Sequence, residues 1–198
     1  MPLDTRLNFI VLAGPNGSGK STFFARHLAK WNLPFVNPDE IAKELGLSDP
    51  AQAAFRAFRE ANVRRKQLLK DGRSFVTEGI RPDPELLREA SALGFFTRVI
   101  FVCTEAPVIN VRRVAFRVAH GGHHIEPKAV EARYHRALES LPEAAALADQ
   151  LILFDNSVRL RPHRLIARFD HGRVASLRRN APLWANKVFA QEFEAFRD

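Results

Sequence analysis

A single cysteine, Cys103, leaves the chain without a partner for an internal disulfide. It sits inside the apolar run RVIFVC (98–103), where a small buried core residue is expected. No apolar run approaches the roughly 20 residues that span a bilayer. The early NFIVLAG segment is followed by glycines and a lysine rather than a cleavage site, so it reads as a first strand and not as a signal peptide. The expected compartment is therefore the cytoplasm, with no membrane partner. There is no internal repeat and no low-complexity tract. Acidic residues are in deficit, 22 against 30 lysines and arginines, giving a formal net charge of +8 that favours anionic partners. The surplus is dispersed through helical segments such as RAFREANVRRKQ (56–67) with few aromatics interleaved. That run is expected to be a solvated helix face, and nucleic acid is not the expected partner.

Strand-like runs alternate with helical ones, the pattern of an α/β fold with a parallel sheet and crossover helices. Strands are expected at Leu7–Ala13, Pro34–Asn37, Ser74–Glu78, Thr97–Cys103 and Gln150–Phe154. Helices are expected near Lys20–Trp31, Ala51–Lys70, Pro84–Leu93, Ala106–Ala119 and Pro127–Ala148. Asp49-Pro50 and Asp83-Pro84 look like helix starts, with proline in the first turn. The tail is different. HRLIARFDHGRVASL (163–177) alternates around a turn containing Asp170 and Gly172, which predicts a β-hairpin, and APLWANKVFAQEFEAF (181–196) predicts a closing helix with an aromatic stripe. The organisation expected is one domain: a core over 1–158, with a hairpin and helix over 159–198 packed on it.

The stretch VLAGPNGSGKSTFF (11–24) carries the strongest signal. Gly14-Pro15-Asn16-Gly17-Ser18-Gly19-Lys20-Ser21 fits G-x-x-x-x-G-K-[ST], the Walker A pattern, with Thr22 following, a β-rich run before it and a helical pattern after it. The glycines let the backbone turn its N–H groups inward toward phosphates, and the helix N-terminus adds partial positive charge. Lys20 would reach the β and γ phosphates of ATP, and the Ser21 hydroxyl would ligate Mg²⁺.

Several users of such a loop are excluded by what is missing. There is no second glycine-rich signature of the transporter type, no paired acidic ending after RVIFVC, and no Asn-Lys-x-Asp guanine reader. A small-molecule kinase needs less: the cradle, an acceptor-side carboxylate and arginines that neutralise the moving phosphoryl group. In FVNPDEIA (35–42), Asp39 lies just past the second strand, at the carboxyl edge where open α/β sheets bind ligands. It is either a general base for an acceptor hydroxyl or the cap of a helix starting near Glu40. Glu78 ends the third strand in SFVTEG, beside Thr77, and is a candidate for the Mg²⁺ hydration shell or an acceptor hydroxyl. Arg113 and Arg117, four apart, share a helix face. Gly121-Gly122 breaks that helix and Arg133 stands on the next one, as in an arginine-bearing lid over the triphosphate. His123 and His124 have no Cys or carboxylate at ligand spacing, so no zinc site is expected.

Taken in order, GPNGSGKSTF, FVNPDEIA, a strand ending in TE, RV-x-x-R-V-x-x-GGH, RY and FDNS resemble the zeta toxin family of P-loop kinases, and APLW near Trp184 resembles a family tail feature. The resemblance implies ATP-dependent phosphoryl transfer to a sugar hydroxyl, with UDP-N-acetylglucosamine as the associated acceptor. Carried onto matching positions, Lys20 binds the phosphates, Asp39 is the general base, Glu78 and Thr77 hold the acceptor, and Arg117 and Arg133 stabilise the γ-phosphate, with Arg113 a competitor for that role. Asp155-Asn156-Ser157 would close the fifth strand near the nucleotide base. Gly79-Ile80-Arg81 stands where the family usually has threonines, a departure on the acceptor side. The rival readings are a polynucleotide or nucleoside kinase, suggested by the basic charge, and a nucleotide-binding toxin-like protein acting through an antitoxin-like partner.

Overall fold

The computed structural model describes residues 2–121, 124–158, 160 and 162–197. At its centre is β1 (Asn8–Ala13), every residue of which is buried. A strand with no polar face needs cover on both sides, and a parallel sheet between two helical layers provides it. The longer β4 (Phe96–Cys103) is buried along its whole length in the same way. With β2 (Phe35–Val36), β3 (Phe75–Gly79) and β5 (Gln150–Asp155) they run parallel in the order β2-β3-β1-β4-β5. The chain fills one side of β1 before crossing to the other. The loop leaving β1 therefore emerges at the switch point between β3 and β4, the place where such sheets open a crevice.

The sheet does not stop at five strands. β6 (Arg164–Asp170) and β7 (Arg173–Leu177) form the expected hairpin, and β6 pairs antiparallel with β5. The five-stranded parallel sheet expected from the sequence is thereby corrected to a seven-stranded mixed one. The physical reason is the edge: without β6, strand β5 would present a row of unpaired N–H and C=O groups.

Helices depart from expectation where local chemistry interrupts them. α1 (Lys20–Phe23) widens into a π turn over Phe24–Leu28, tightens to a 3₁₀ turn over Ala29–Trp31, and ends at Asn32 with φ 51°. A short helix, α2 (Pro38–Leu45), follows β2 directly, starting two residues before the Glu40 start that the capping alternative for Asp39 implied. Then come α3 (Pro50–Lys70), α4 (Pro84–Ala92) and α5 (Pro107–Val118). Both Asp-Pro signals are genuine starts, since Asp49 accepts from the N–H of Ala51 and Asp83 from those of Glu85 and Leu86. The single helix expected over 127–148 is two, α6 (Pro127–Glu139) and α7 (Leu141–Leu147), because Pro142 has no N–H to continue the ladder. The closing helix is likewise divided, into α8 (Leu183–Val188) and α9 (Ala190–Arg197). Among the described residues no helix is long and apolar enough to cross a membrane.

The core lies on both faces of the sheet. One face gathers Phe9, Phe75, Phe101 and Leu151 with the tail residues Phe169, Trp184, Phe189 and Phe193, and the other gathers Ile10, Leu12, Phe23, Val76 and Ile100. Phe169 on β6 stands 4.5 Å from the Phe189 ring, centroid to centroid, and both are 1% exposed. Trp184, Phe189 and Phe193 of the tail's aromatic stripe are therefore core, and Phe196 is exposed. Phe169→Ala is expected to cost about 3–5 kcal/mol and to keep a single unfolding transition in urea. A loss under ~1 kcal/mol, or a separate early transition, would show that the tail is not part of this core.

Candidate active site

The loop from Gly14 to Ser21 wraps at the C-terminal end of β1, held to a shape that few side chains permit. Gly14 has φ 142°, and a Cβ there would sit 2.1 Å from the Val102 carbonyl oxygen. Gly17 has φ 76°, and its Cβ would meet the Asn110 carbonyl oxygen at 2.7 Å. These are backbone contacts that cannot swing aside, so glycine is required for shape at both places.

Two asparagines brace the loop from outside. Asn110 on α5 is fully buried and donates its Nδ2–H to the Asn16 carbonyl at 2.6 Å, while its Oδ1 accepts from the Thr104 hydroxyl. Asn156, just past β5, donates Nδ2–H to the Ser18 carbonyl at 2.7 Å and its backbone N–H to the Cys103 carbonyl at 2.8 Å. Arg113 adds a third brace, donating to the carbonyls of Asn156 at 2.8 Å and Gly17 at 3.5 Å. The segment Asp155-Asn156-Ser157 thus closes the fifth strand, and Asn156 links it to the loop from Gly14 to Ser21. Arg113 is turned to backbone carbonyls on the same side. Sequence reading did not single out Asn110, and its position on the inner face of a helix gives no chemical signal.

Lys20 opens α1 and is 8% exposed, with Nζ donating to the carbonyls of Gly14 at 2.8 Å and Pro15 at 3.3 Å. Glu78, at the end of β3, brings Oε1 to 3.7 Å from Nζ, and its Oε2 accepts from Asn37 Nδ2 at 3.3 Å. Burial pushes the Lys20 ammonium below its usual pKa, opposed by the charges of Glu78 and Asp39, while nearby Arg117 lowers it further. Burial likewise pushes the Glu78 carboxyl up, opposed by Lys20. Both groups therefore favour additional charge nearby of the sign each lacks.

Asp39 does not cap its helix. That role belongs to Asn37, whose Oδ1 accepts from the Asp39 N–H at 2.9 Å. The Asp39 carboxylate stands exposed in the first turn of α2, beside Glu40, where the helix dipole favours a negative charge.

An open cavity of about 500 Å³ joins these groups. Its walls include Asn16 and Lys20 from the loop, Asn37 and Asp39 from the β2–α2 corner, Glu78 to Pro84 from β3 onward, Phe58 and Arg65 from α3, and Arg133 from α6. Arg133 also donates to Asn16 Oδ1 at 3.1 Å, tying α6 to the loop. Of the residues expected from sequence, Asn16, Lys20, Asp39, Glu78 and Arg133 meet here. Thr77 does not line this cavity. Its hydroxyl donates to the Val36 carbonyl at 3.0 Å and accepts from Arg65 Nε at 2.7 Å, so its assignment to the acceptor is corrected to a buried link between β2, β3 and α3. Arg117 is exposed on α5, and Ser21 is exposed in the first turn of α1 next to Lys20. Of the segment expected as a lid tip, Gly122 and His123 lie outside the described residues, and His124 hydrogen-bonds Glu126 Oε1 at 2.9 Å.

The run RAFREANVRRKQ is not wholly a solvated face. Arg65 within it is 7% exposed, a correction that sequence charge alone could not supply.

No protein-family model matches the chain. Its sequence is 27% identical over 128 residues to an uncharacterized protein of Haemophilus influenzae, covering 63% of this chain and 91% of that one. Its structure is similar to that of a kinase candidate from Chloroflexus aurantiacus, with a TM-score of 0.63 and 20% identity over 79% of this chain and 92% of that one. It is also similar to a chain of the PezAT chromosomal toxin–antitoxin system of Streptococcus pneumoniae, with a TM-score of 0.60 and 12% identity over 99% of this chain and 85% of that one. At these identities the likeness is one of fold, an α/β fold shared with kinase-like and toxin-like proteins.

Asn110→Ala removes the brace under Asn16. It is expected to cost about 1–3 kcal/mol of stability, read from urea denaturation of the variant. Unchanged stability would remove Asn110 from the support of the loop.

Proposed function

We propose that the chain is an ATP-dependent phosphotransferase that moves the γ-phosphate to a hydroxyl of a small metabolite. The observation that carries this reading is the single cavity running from the buried Lys20 to two carboxylates, Asp39 and Glu78, on neighbouring strand ends. ATP lies with its phosphates in the loop Gly14 to Ser21, the Lys20 ammonium against the β and γ phosphates. The acceptor occupies the cavity beyond. Its hydroxyl oxygen attacks the γ-phosphorus, the bond to the β-phosphate oxygen breaks, and ADP leaves. Asp39 takes the hydroxyl proton, Glu78 and Asn37 orient the acceptor, and Arg133 and Arg117 offset charge on the moving phosphoryl group.

Ser21 would hold Mg²⁺, since its hydroxyl at the start of α1 is a hard oxygen donor, and the Glu78 and Asp39 carboxylates lining the cavity are donors of the same class. When bound, the cation supplies charge neutralisation on the phosphates. The acceptor implied by the resemblance of the ordered motifs to the zeta toxin family is a UDP-N-acetyl amino sugar. A second reading, a toxin-like protein with an antitoxin-like protein partner, is favoured by the fold likeness to the PezAT system over nearly the whole chain. A polynucleotide or nucleoside kinase is suggested by the basic charge.

Asp39→Asn is expected to keep ATP affinity while kcat falls by roughly 10²–10⁴, measured by mass spectrometry of phosphorylated products over a panel of UDP-sugars, nucleosides and oligonucleotides. Undiminished turnover would remove Asp39 from the mechanism. Lys20→Ala is expected instead to weaken ATP binding itself, and wild-type affinity in a calorimetric titration would refute the cradle.

A further inference from the structure

α3 packs on the sheet through a stripe at every fourth position: Ala53, Ala57, Ala61, Arg65 and Leu69 are all buried, while Phe55, Phe58 and Val63 beside them are exposed. Four members of the stripe are apolar and one is a cation. The alanines bring the helix close, and Arg65 reaches across to the end of β3. Its guanidinium donates to Thr77 Oγ1 at 2.7 Å, Asn62 Oδ1 at 2.8 Å and the Glu78 carbonyl at 3.3 Å. All three acceptors are neutral. Five N–H groups less three leaves two donors, one on each terminal nitrogen. Among the described residues Arg65 makes no ion pair. Asp83 is the carboxylate whose charge it feels, but Asp83 Oδ1 caps α4.

A cation 7% exposed, with neutral partners only, is expensive to keep, since it has lost water without gaining a counter-charge. It lines the cavity, together with Arg81 and an apolar wall of Phe58, Ile80, Pro82 and Pro84. We propose that Arg65 reads an anionic group on the acceptor, a phosphate or a carboxylate, so that the cavity selects a charged metabolite over its neutral counterpart. The missing counter-charge is then brought by the ligand, and the apolar wall receives the uncharged body that carries it. This inference rests on the reading of the cavity as the acceptor side of a phosphotransferase.

The test is a binding experiment with the phosphate loop filled by a non-hydrolysable ATP analogue, so that anions cannot be captured there. The probes are matched pairs: uridine 5′-monophosphate against uridine, glucose 1-phosphate against glucose, and glucuronate as the carboxylate arm. At least one charged probe should bind the wild-type protein about tenfold or more tightly than its neutral partner, in keeping with charge-assisted hydrogen bonds. It should also shift the Arg65 Nε–H resonance, identified by its loss in Arg65→Lys. Arg65→Met should bring the pair to equal affinity, and Arg65→Lys should retain part of the preference. Melting temperatures and affinity for the ATP analogue show that each variant is folded. The proposal is overturned if charged and neutral probes bind wild type equally, if no charged probe binds, or if folded Arg65→Met keeps the full preference. Failure of the kinase reading looks different, because it is the absence of any phosphorylated product while the charged-over-neutral preference persists. Turnover of a neutral acceptor, undiminished in Arg65→Met, would leave the kinase standing and remove this inference.

Discussion

Lys20 is held at 8% exposure against two carbonyl oxygens and a carboxylate 3.7 Å away, and the C-terminal edge of the sheet is arranged around keeping it there. A buried ammonium needs donors satisfied and an opposite charge within reach, or the fold loses several kcal/mol. The carbonyls of Gly14 and Pro15 are available only because the loop turns back over its own lysine. That turn brings the positive-φ glycines and the close approach to the carbonyls of Val102 and Asn110. The carboxylate is available only because β3 lies beside β1 in parallel, so that Glu78 ends level with the loop. Strand order and loop shape are thus linked through one charge.

The same constraint explains why the braces are polar and buried. Asn110 and Asn156 hold the loop from α5 and from the end of β5, at Asn16 and Ser18. Each asparagine fixes a backbone carbonyl, and fixing carbonyls outward aims neighbouring N–H groups inward, the polarity an anion requires. Arg113 and Arg133 tie the helices on either side of the Gly121 turn to the same loop. The loop and the placement of α5 and α6 are therefore mechanically connected.

The parts legible in the sequence were those with local signatures. The G-x-x-x-x-G-K-S run, the strands around it and the two Asp-Pro helix starts could all be read, because each depends on residues adjacent in the chain. The carboxylates Asp39 and Glu78 could be placed at strand ends for the same reason, though whether Asp39 capped α2 needed the structure, which gives that bond to Asn37. α2 had signals of its own, Asn37-Pro38 at the start and Gly46 at φ 59° at the end. The sequence reading set its start near Glu40, two residues late, and offered Asp39 rather than Asn37 as its cap. What could not be read depends on distant partners. The hairpin pattern identifies β6 and β7 but not the edge they cover. Thr77 looked like an acceptor contact until Arg65, twelve residues away, was seen to occupy its hydroxyl. Arg65 itself was hidden in a charged run, since only the packing of α3 distinguishes the one buried arginine from its solvated neighbours.

The central claim is that the loop and the cavity act on one phosphoryl group. It is tested most directly by following the label from ATP radiolabelled at the γ-phosphate through a single turnover with enzyme in excess and a pool of small metabolites supplied. The account predicts that the label passes to an organic phosphate ester, in a yield that rises with the amount of metabolite pool. Label appearing only as inorganic phosphate, at a rate indifferent to the pool, would contradict it.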